Sequence, residues 1–396
     1  MHKRMTRILS AISLLVVIPT VAFASSSRVA GLNVPGDYIK DYTGMFTYVS
    51  GVNTVGNLVY TEPNTGNEAL GAVLGNLFEG RMGTWAIHMR RFSPALGQSM
   101  RGNPIATTGL LGVQDPNTNG EALDLMWGHK MGSGNLGLRY NRSFISNELA
   151  AGTSEGNGNG ARNNWGLGAG FGFQMNPNTD VEIAGDFQNR SFKGANFNTP
   201  DAAADNGGST YLVAARAFVK GGANVMWVPV GRIYSFDLSE VSNAAVNTDR
   251  KLSGWEVGGA GNWSIGSDDL FVLGLNVVGN HFEETVGAGA KDETNETFYP
   301  NAFAGIETHV NSWLTLRFGA QNAVLYSIKN EAGNPTVTQT VKEHVFSYNM
   351  GAGVKLSSLM LDATLAPGFW NNPVSGVWNN GLGAAPFPRV SATYSF

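Results

Sequence analysis

The chain contains no cysteine, which excludes a disulfide framework, a thiolate metal site and a thiol nucleophile. It is also short of charge: Asp, Glu, Lys and Arg make up 14% of 396 residues, against roughly 25% in soluble domains. Neither sign dominates. Lys3, Arg4 and Arg7 lie in the first seven residues, so 23 of the 26 basic residues remain beyond them against 30 acidic ones. That mildly acidic balance lacks the basic excess of a nucleic-acid binder. After Ala24, every stretch of about twenty residues is broken by charge, Asn or clustered Gly, which argues against a helical span. No Ser stands in a G-x-S-x-G context, and His88, His129, His281, His309 and His344 form no paired catalytic pattern. No enzymatic activity, cofactor or metal site is expected. Asp201, Asp205 and Asn206, or Asp268 with Asp269, read as solvated loop residues, short of the full ligand set that calcium needs. What is abundant is glycine, at 52 residues.

At the N-terminus, the basic Met1–Arg7 is followed by an uncharged stretch, Ile8 to Ala24, ending Ala22-Phe23-Ala24. A basic region, an apolar region and an A-x-A site describe a secretory leader. Residues 1–24 are therefore expected to be removed, leaving Ser25 first and placing the protein outside the cytoplasm. With no Cys after the apolar region, a lipoprotein anchor is excluded.

Beyond residue 80 the dominant signal is alternation with period two, the signature of strands. Trp165, Leu167, Ala169, Phe171 and Phe173 share one face, with Gly166, Gly168, Gly170 and Gly172 between them. Similar dyads include Trp85, Ile87 and Met89; Leu136, Leu138 and Tyr140; Leu273, Leu275 and Val277; and Leu314, Leu316 and Phe318. Spacing between these segments alternates strictly. Long polar gaps at 93–121, 145–160, 189–208, 237–251, 282–296, 327–342 and 368–384 interleave with short turns such as Gly132-Ser133-Gly134 and Asn176-Pro177-Asn178. Placing every long loop at one end and every tight turn at the other is the habit of a transmembrane β-barrel.

The expectation is an all-β antiparallel transmembrane barrel over 81–396, with fourteen strands, sixteen being possible. Residues 25–80 then form an N-terminal pre-barrel segment, a plug or an extra hairpin. Alternation turns His88, Arg90, Asp124, Lys130, Arg139, Glu182, Asp186, Arg216, Lys220, Glu256, Glu307 and Arg317 inward, as a mixed-charge lining. Trp85, Trp165, Trp227, Trp255 and Trp313 fall near strand ends, as interfacial girdles require.

The final strand places Val390, Ala392, Tyr394 and Phe396 on one face and ends the chain on an aromatic. It resembles the terminal strand of Gram-negative outer-membrane barrels. That likeness implies an outer-membrane location, those four residues as an assembly signal, and the barrel assembly machinery, outer-membrane lipid and lipopolysaccharide as partners. Asp41-Tyr42-Thr43-Gly44-Met45-Phe46-Thr47 resembles the opening of fatty-acid-transporter-like barrels, although Tyr48-Val49-Ser50 replaces that family's Asn-Pro-Ala. The favoured function is passive diffusion of small solutes through a polar lumen. The alternatives are transport of hydrophobic compounds with residues 25–80 as a plug, and a structural or adhesive barrel with a closed lumen.

Overall fold

A computed structural model describes residues 25–63, 69–75, 81–89, 121–147, 160–196, 199–237, 239–241, 246–266, 268–331, 338–365 and 387–396. Residues 1–24, expected to form a leader, and Arg90 lie outside them. Strands β1 (Leu58–Glu62), β2 (Ala69–Leu74), β3 (Thr84–Met89), β4 (Glu121–Met131), β5 (Gly134–Asn147), β6 (Gly160–Asn176), β7 (Thr179–Asn196), β8 (Thr199–Lys220) and β9 (Val225–Asp237) each pair antiparallel with the next. The two-residue β10 (Glu240–Val241) pairs only with the end of β11 (Asn247–Ile265), and β9 pairs with β11 directly. The wall continues through β12 (Asp269–Val286), β13 (Asp292–His309), β14 (Leu314–Glu331), β15 (Thr338–Leu356), β16 (Leu359–Leu365) and β17 (Arg389–Ser395). β17 then pairs with β1, Leu58 opposite Ser395, and closes the sheet into a barrel.

Setting β10 aside, the wall has sixteen strands, so the fourteen-strand expectation fails. The missed pair is the hairpin β1–β2. Its strands are five and six residues long, too short to show a sustained dyad, and Glu62 and Gly71 interrupt what apolar pattern there is.

The gaps expected at 189–208, 237–251, 282–296 and 327–342 are a second difference. Strands run through much of each of them: Ser191 pairs with Gly207 and Lys193 with Asp205, and Glu283 pairs with Glu293. A tilted strand crosses a bilayer in roughly 9–11 residues, whereas β8 has 22. Backbone pairing thus continues past the length over which the apolar alternation runs.

Below that level the faces divide as alternation requires. Trp165, Leu167, Phe171, Leu273, Leu275 and Trp255 are exposed on the outer surface, whereas Asn164, Val272 and Glu256 are buried inside. Tyr394 and Phe396 point outward and Ser391 and Thr393 inward. The amide of Phe396 donates to the Asn57 carbonyl just before β1, so the chain's last residue sits at the closing seam.

The interior is filled by the chain's own N-terminal segment. Ser25 caps helix α1 (Ser26–Leu32), its Oγ accepting from the Arg28 amide at 3.1 Å, and Asn33 ends that helix in the left-handed conformation at φ 47°. Three 3-10 turns follow, Gly36–Tyr38, Tyr42–Phe46 and Val49–Gly51, and then the short helix α2 (Val52–Val55). Asp41 caps the second turn by accepting from the Thr43 and Gly44 amides. Leu32, Val34, Tyr38 and Ile39 pack on inward Phe218, Val228, Val230, Val272 and Phe303. Met45, Phe46, Val49 and Val52 pack on Tyr60, Ala86 and Met126. Full burial of such side chains contributes about 1.5–3 kcal/mol each, which explains why this segment folds into the lumen.

Candidate functional site: a plugged lumen

Three ionic clusters join the luminal segment to the wall, each built where inward positions of adjacent strands come level. At the first, Arg28 of α1 grips Glu307 of β13 with both Nε (2.6 Å) and Nη2 (2.8 Å). Glu307 also accepts from Arg317 of β14 at 2.5 Å, and Arg317 reaches Asp362 of β16 at 2.7 Å. Asp362 in turn accepts from the Ser25 hydroxyl at 2.9 Å. Arg28 Nη1 lies 4.0 Å from Asp41.

At the second cluster, Arg232 of β9 pairs with Asp37 at 3.1 Å and with Glu256 of β11. Glu256 accepts further bonds from the Tyr38 hydroxyl (3.0 Å) and Asn276 (2.7 Å). Arg216 of β8 pairs with Glu182 at 2.6 Å, donates to the Asp37 carbonyl at 3.1 Å and stacks over the Tyr48 ring. At the third, Arg139 of β5 binds Asp124 of β4 through two bonds (2.8 and 2.7 Å) and donates to the Phe46 carbonyl at 3.0 Å. Burial pushes the Asp37 carboxyl up, against the pull of Arg232 and Arg216, and pushes the Asp41 carboxyl up against Arg28. Buried charges persist only when paired in this way.

Where the segment passes closest, the wall carries glycine. A Cβ on Gly319 would strike the Leu32 carbonyl, and one on Gly137 the backbone of Val49. Gly170 and Gly172, two of the inward glycines between the aromatics of β6, lie against Val49 and Ser50. Their positions admit a second backbone into the lumen.

Of the residues expected inside, Asp124, Arg139, Glu182, Arg216, Glu256, Glu307 and Arg317 meet in these clusters, and Asp186 lies 3.9 Å from Arg139. His88 is fully buried against Tyr60, their polar atoms 3.0 Å apart. Lys130 and Lys220 are exposed at the short-turn end, Lys220 reaching only the Pro177 carbonyl at 3.5 Å. Sequence reasoning missed Arg28, Asp37, Arg232 and Asp362. Parity would have found Asp362, between outward Leu361 and Ala363. Around Arg232, Pro229 and Gly231 thin the apolar face and hide the alternation.

Between α1 and the wall, on the loop side, lies a cavity of about 310 Å³. Its lining mixes apolar Val29, Val34 and Phe46 with polar Asp37, Arg232 and Arg389. Asn349 donates to Asn33 at 3.1 Å, tying α1 to β15 at its rim. Its size lies at the lower end of small-molecule sites, roughly 300–1,000 Å³.

No protein-family model and no curated protein matches the chain. Among solved structures it is similar to the copper transporter OprC, at 12% identity and a TM-score of 0.42 over 78% of this chain and 44% of that one. It is also similar to CdiB from Escherichia coli, at 10% identity and 0.41 over 86% and 62%. A third is the ferric yersiniabactin uptake receptor FyuA from Yersinia pestis, at 8% identity and 0.42 over 62% and 44%. The chain spans 44 to 62% of the length of these three.

Proposed function

We propose that this chain is an outer-membrane transport barrel whose lumen is closed at rest by residues 25–57 and admits small amphipathic solutes when that segment shifts. The single observation behind this reading is the luminal segment itself, fixed by buried ion pairs at Arg28 and Asp37 and by the hydrogen bond from Arg139 to the Phe46 carbonyl. A passive pore needs a continuous aqueous path, and a 33-residue segment packed across the lumen argues for a gated one. The half-apolar, half-polar cavity supports an amphipathic solute over a purely hydrophobic one, with its apolar body on Val29 and Val34 and its polar group towards Arg232 and Arg389.

In this reading the leader is removed after Ala24, the barrel assembly machinery recognises the terminal strand, and the outward belt sits in lipid and lipopolysaccharide. The role is transport, without catalysis. Single-channel recording in planar bilayers tests it. Wild-type protein should be closed with brief openings, and deletion of residues 25–57 should give large, stable conductance. Steady wild-type conductance equal to that of the deletion would contradict the gate and favour passive diffusion.

A further inference from the structure

Outside the lumen, β12 and β13 bring together metal-ligating side chains that the gate does not use. In β12, Leu273 and Leu275 are exposed outside while Val272, Val278 and Phe282 are buried inside, so His281 and Glu283 face outward. The register sets His281 opposite Asn295 and Glu283 opposite Glu293, and the four side chains form one patch. Because β12 starts at Asp269, His281 lies twelve residues along it, past the roughly 9–11 residues that cross a bilayer. The patch therefore belongs to the loop-side end of the barrel, where charge on the outer face is least costly.

One ligand atom from each of His281, Glu283 and Glu293 lies within 4.8 Å of the other two, the one such group among the described residues. Asn295 orients the ring: its Oδ1 lies 2.9 Å from His281 Nδ1 and accepts the Nδ1 proton. Metal-ligating histidines are held in this way, one nitrogen donating to an oxygen so that the other is left to bind. That other nitrogen, Nε2, is 3.0 Å from Glu283 Oε1. With the ring proton on Nδ1, Nε2 and Oε1 are both acceptors and need a cation between them. Glu283 and Glu293 also face each other directly, an arrangement of like charges that destabilises a sheet. Lys291 meets that need, its Nζ 2.6 Å from Glu283 and 2.8 Å from Glu293. The imidazole and both carboxylates thus converge on one place that calls for positive charge.

We propose that His281 Nε2, Glu283 and Glu293 bind a divalent transition-metal ion of the zinc type on the outer, loop-side face, in the place that the Lys291 ammonium otherwise holds. An imidazole with two carboxylates suits zinc, whereas carboxylates alone would suit magnesium or calcium. Where the ring carries a proton on Nε2, binding releases it to water. Lys291 is already half-exposed and swings into solvent. Three protein ligands leave a fourth tetrahedral position open. A groove lined by Tyr211, Ile233, Trp255, His281 and Asn295 adjoins it, so water or a donor group resting in that groove can complete the shell. The site lies on the opposite face of the wall from the luminal segment and is independent of the gate.

The test is equilibrium dialysis of the untagged, metal-free, folded barrel against zinc at neutral pH, with heat-modifiable migration on gels verifying the fold of each variant. The expected result is one saturable site in wild type, weakened at least about tenfold in His281→Ala and in Glu283→Gln. Lys291→Ala should bind severalfold more tightly, because the competing ammonium is gone. Calcium at the same concentration as zinc should not displace it. Equal zinc uptake by wild type, His281→Ala and Glu283→Gln would place the ion on other side chains and overturn the site. So would the lack of a saturable site in wild type, displacement by equimolar calcium, or unchanged affinity in Lys291→Ala.

Wild type alone gives a second readout that needs no variant to fold. X-ray absorption of the bound zinc should show a single imidazole nitrogen among oxygen ligands at about 2.0–2.2 Å. A shell with no imidazole, or with two, overturns the assignment.

Discussion

The two ends of the luminal segment are held by different physics. At α1, charged and polar contacts join the packing of Leu32: Arg28 pairs with Glu307, Ser25 donates to Asp362, and Asn33 is tied to Asn349. At the turn Val49–Gly51 and α2, the contacts are apolar, with Met45, Val49 and Val52 buried around Tyr60 and Met126 and the backbone passing over Gly137. Charged contacts are directional and are lost as a unit when one partner is displaced, whereas apolar contacts are many, small and tolerant of sliding. The α2 end also leads directly into β1 and cannot travel far. The difference points to α1 as the part that moves and α2 as the pivot.

The largest effect should come from breaking the ionic end. Arg28→Ala leaves Glu307 in its buried site with one partner fewer, a change of about 3–5 kcal/mol. It should raise open probability in bilayers while the barrel keeps its heat-modifiable fold. An Arg28→Ala channel as closed as wild type would show that the ionic end is not the latch. Truncating the other end, Met45→Ala, removes a buried side chain at a cost of about 2–5 kcal/mol. Here a fall in apparent melting temperature should outweigh any gain in conductance. Equal gating by the two variants would erase the distinction between the ends.

Crowding is the next smaller perturbation. Gly319→Ala drives a Cβ into the Leu32 carbonyl, and overpacking of this kind costs about 1–3 kcal/mol. It should displace α1 and open the channel more weakly than Arg28→Ala; unchanged conductance would mean that the segment does not rest there. The smallest effect belongs to the rim. Lys291 bridges Glu283 and Glu293 at 2.6 and 2.8 Å on the exposed surface of β12 and β13. Such pairs contribute little, so Lys291→Ala should leave melting and conductance as they are. A large change there would place part of the gate outside the lumen.

Much of the wall was legible because its physics is periodic. Leu273 and Leu275 outside and Val272 inside follow from a two-residue repeat imposed by lipid on one face. The hairpin β1–β2 was legible only as one alternative for residues 25–80, since five or six residues with Glu62 and Gly71 among them carry no sustained period. The upper strands were hidden for a different reason: backbone pairing continues there, as at Ser191 opposite Gly207, through residues that carry no sustained apolar repeat. The candidate site was half visible. Glu307 and Arg317 could be assigned inward one strand at a time, but their partner Arg28 lies 279 residues away from Glu307 in a segment built of short turns. The inward glycines of β6 were the available hint. Read only as spacers between aromatics, Gly170 and Gly172 mark where Val49 and Ser50 enter the lumen.

The absence of native cysteine makes the most direct test a clean one. In an Asn33→Cys, Asn349→Cys variant, a short cleavable bis-thiol crosslinker would tie α1 to β15 across the cavity rim, and solute uptake would be followed by liposome swelling. The gate predicts uptake reduced to the protein-free background by crosslinking and restored by cleaving the linker. Uptake unchanged with the linker in place would contradict it.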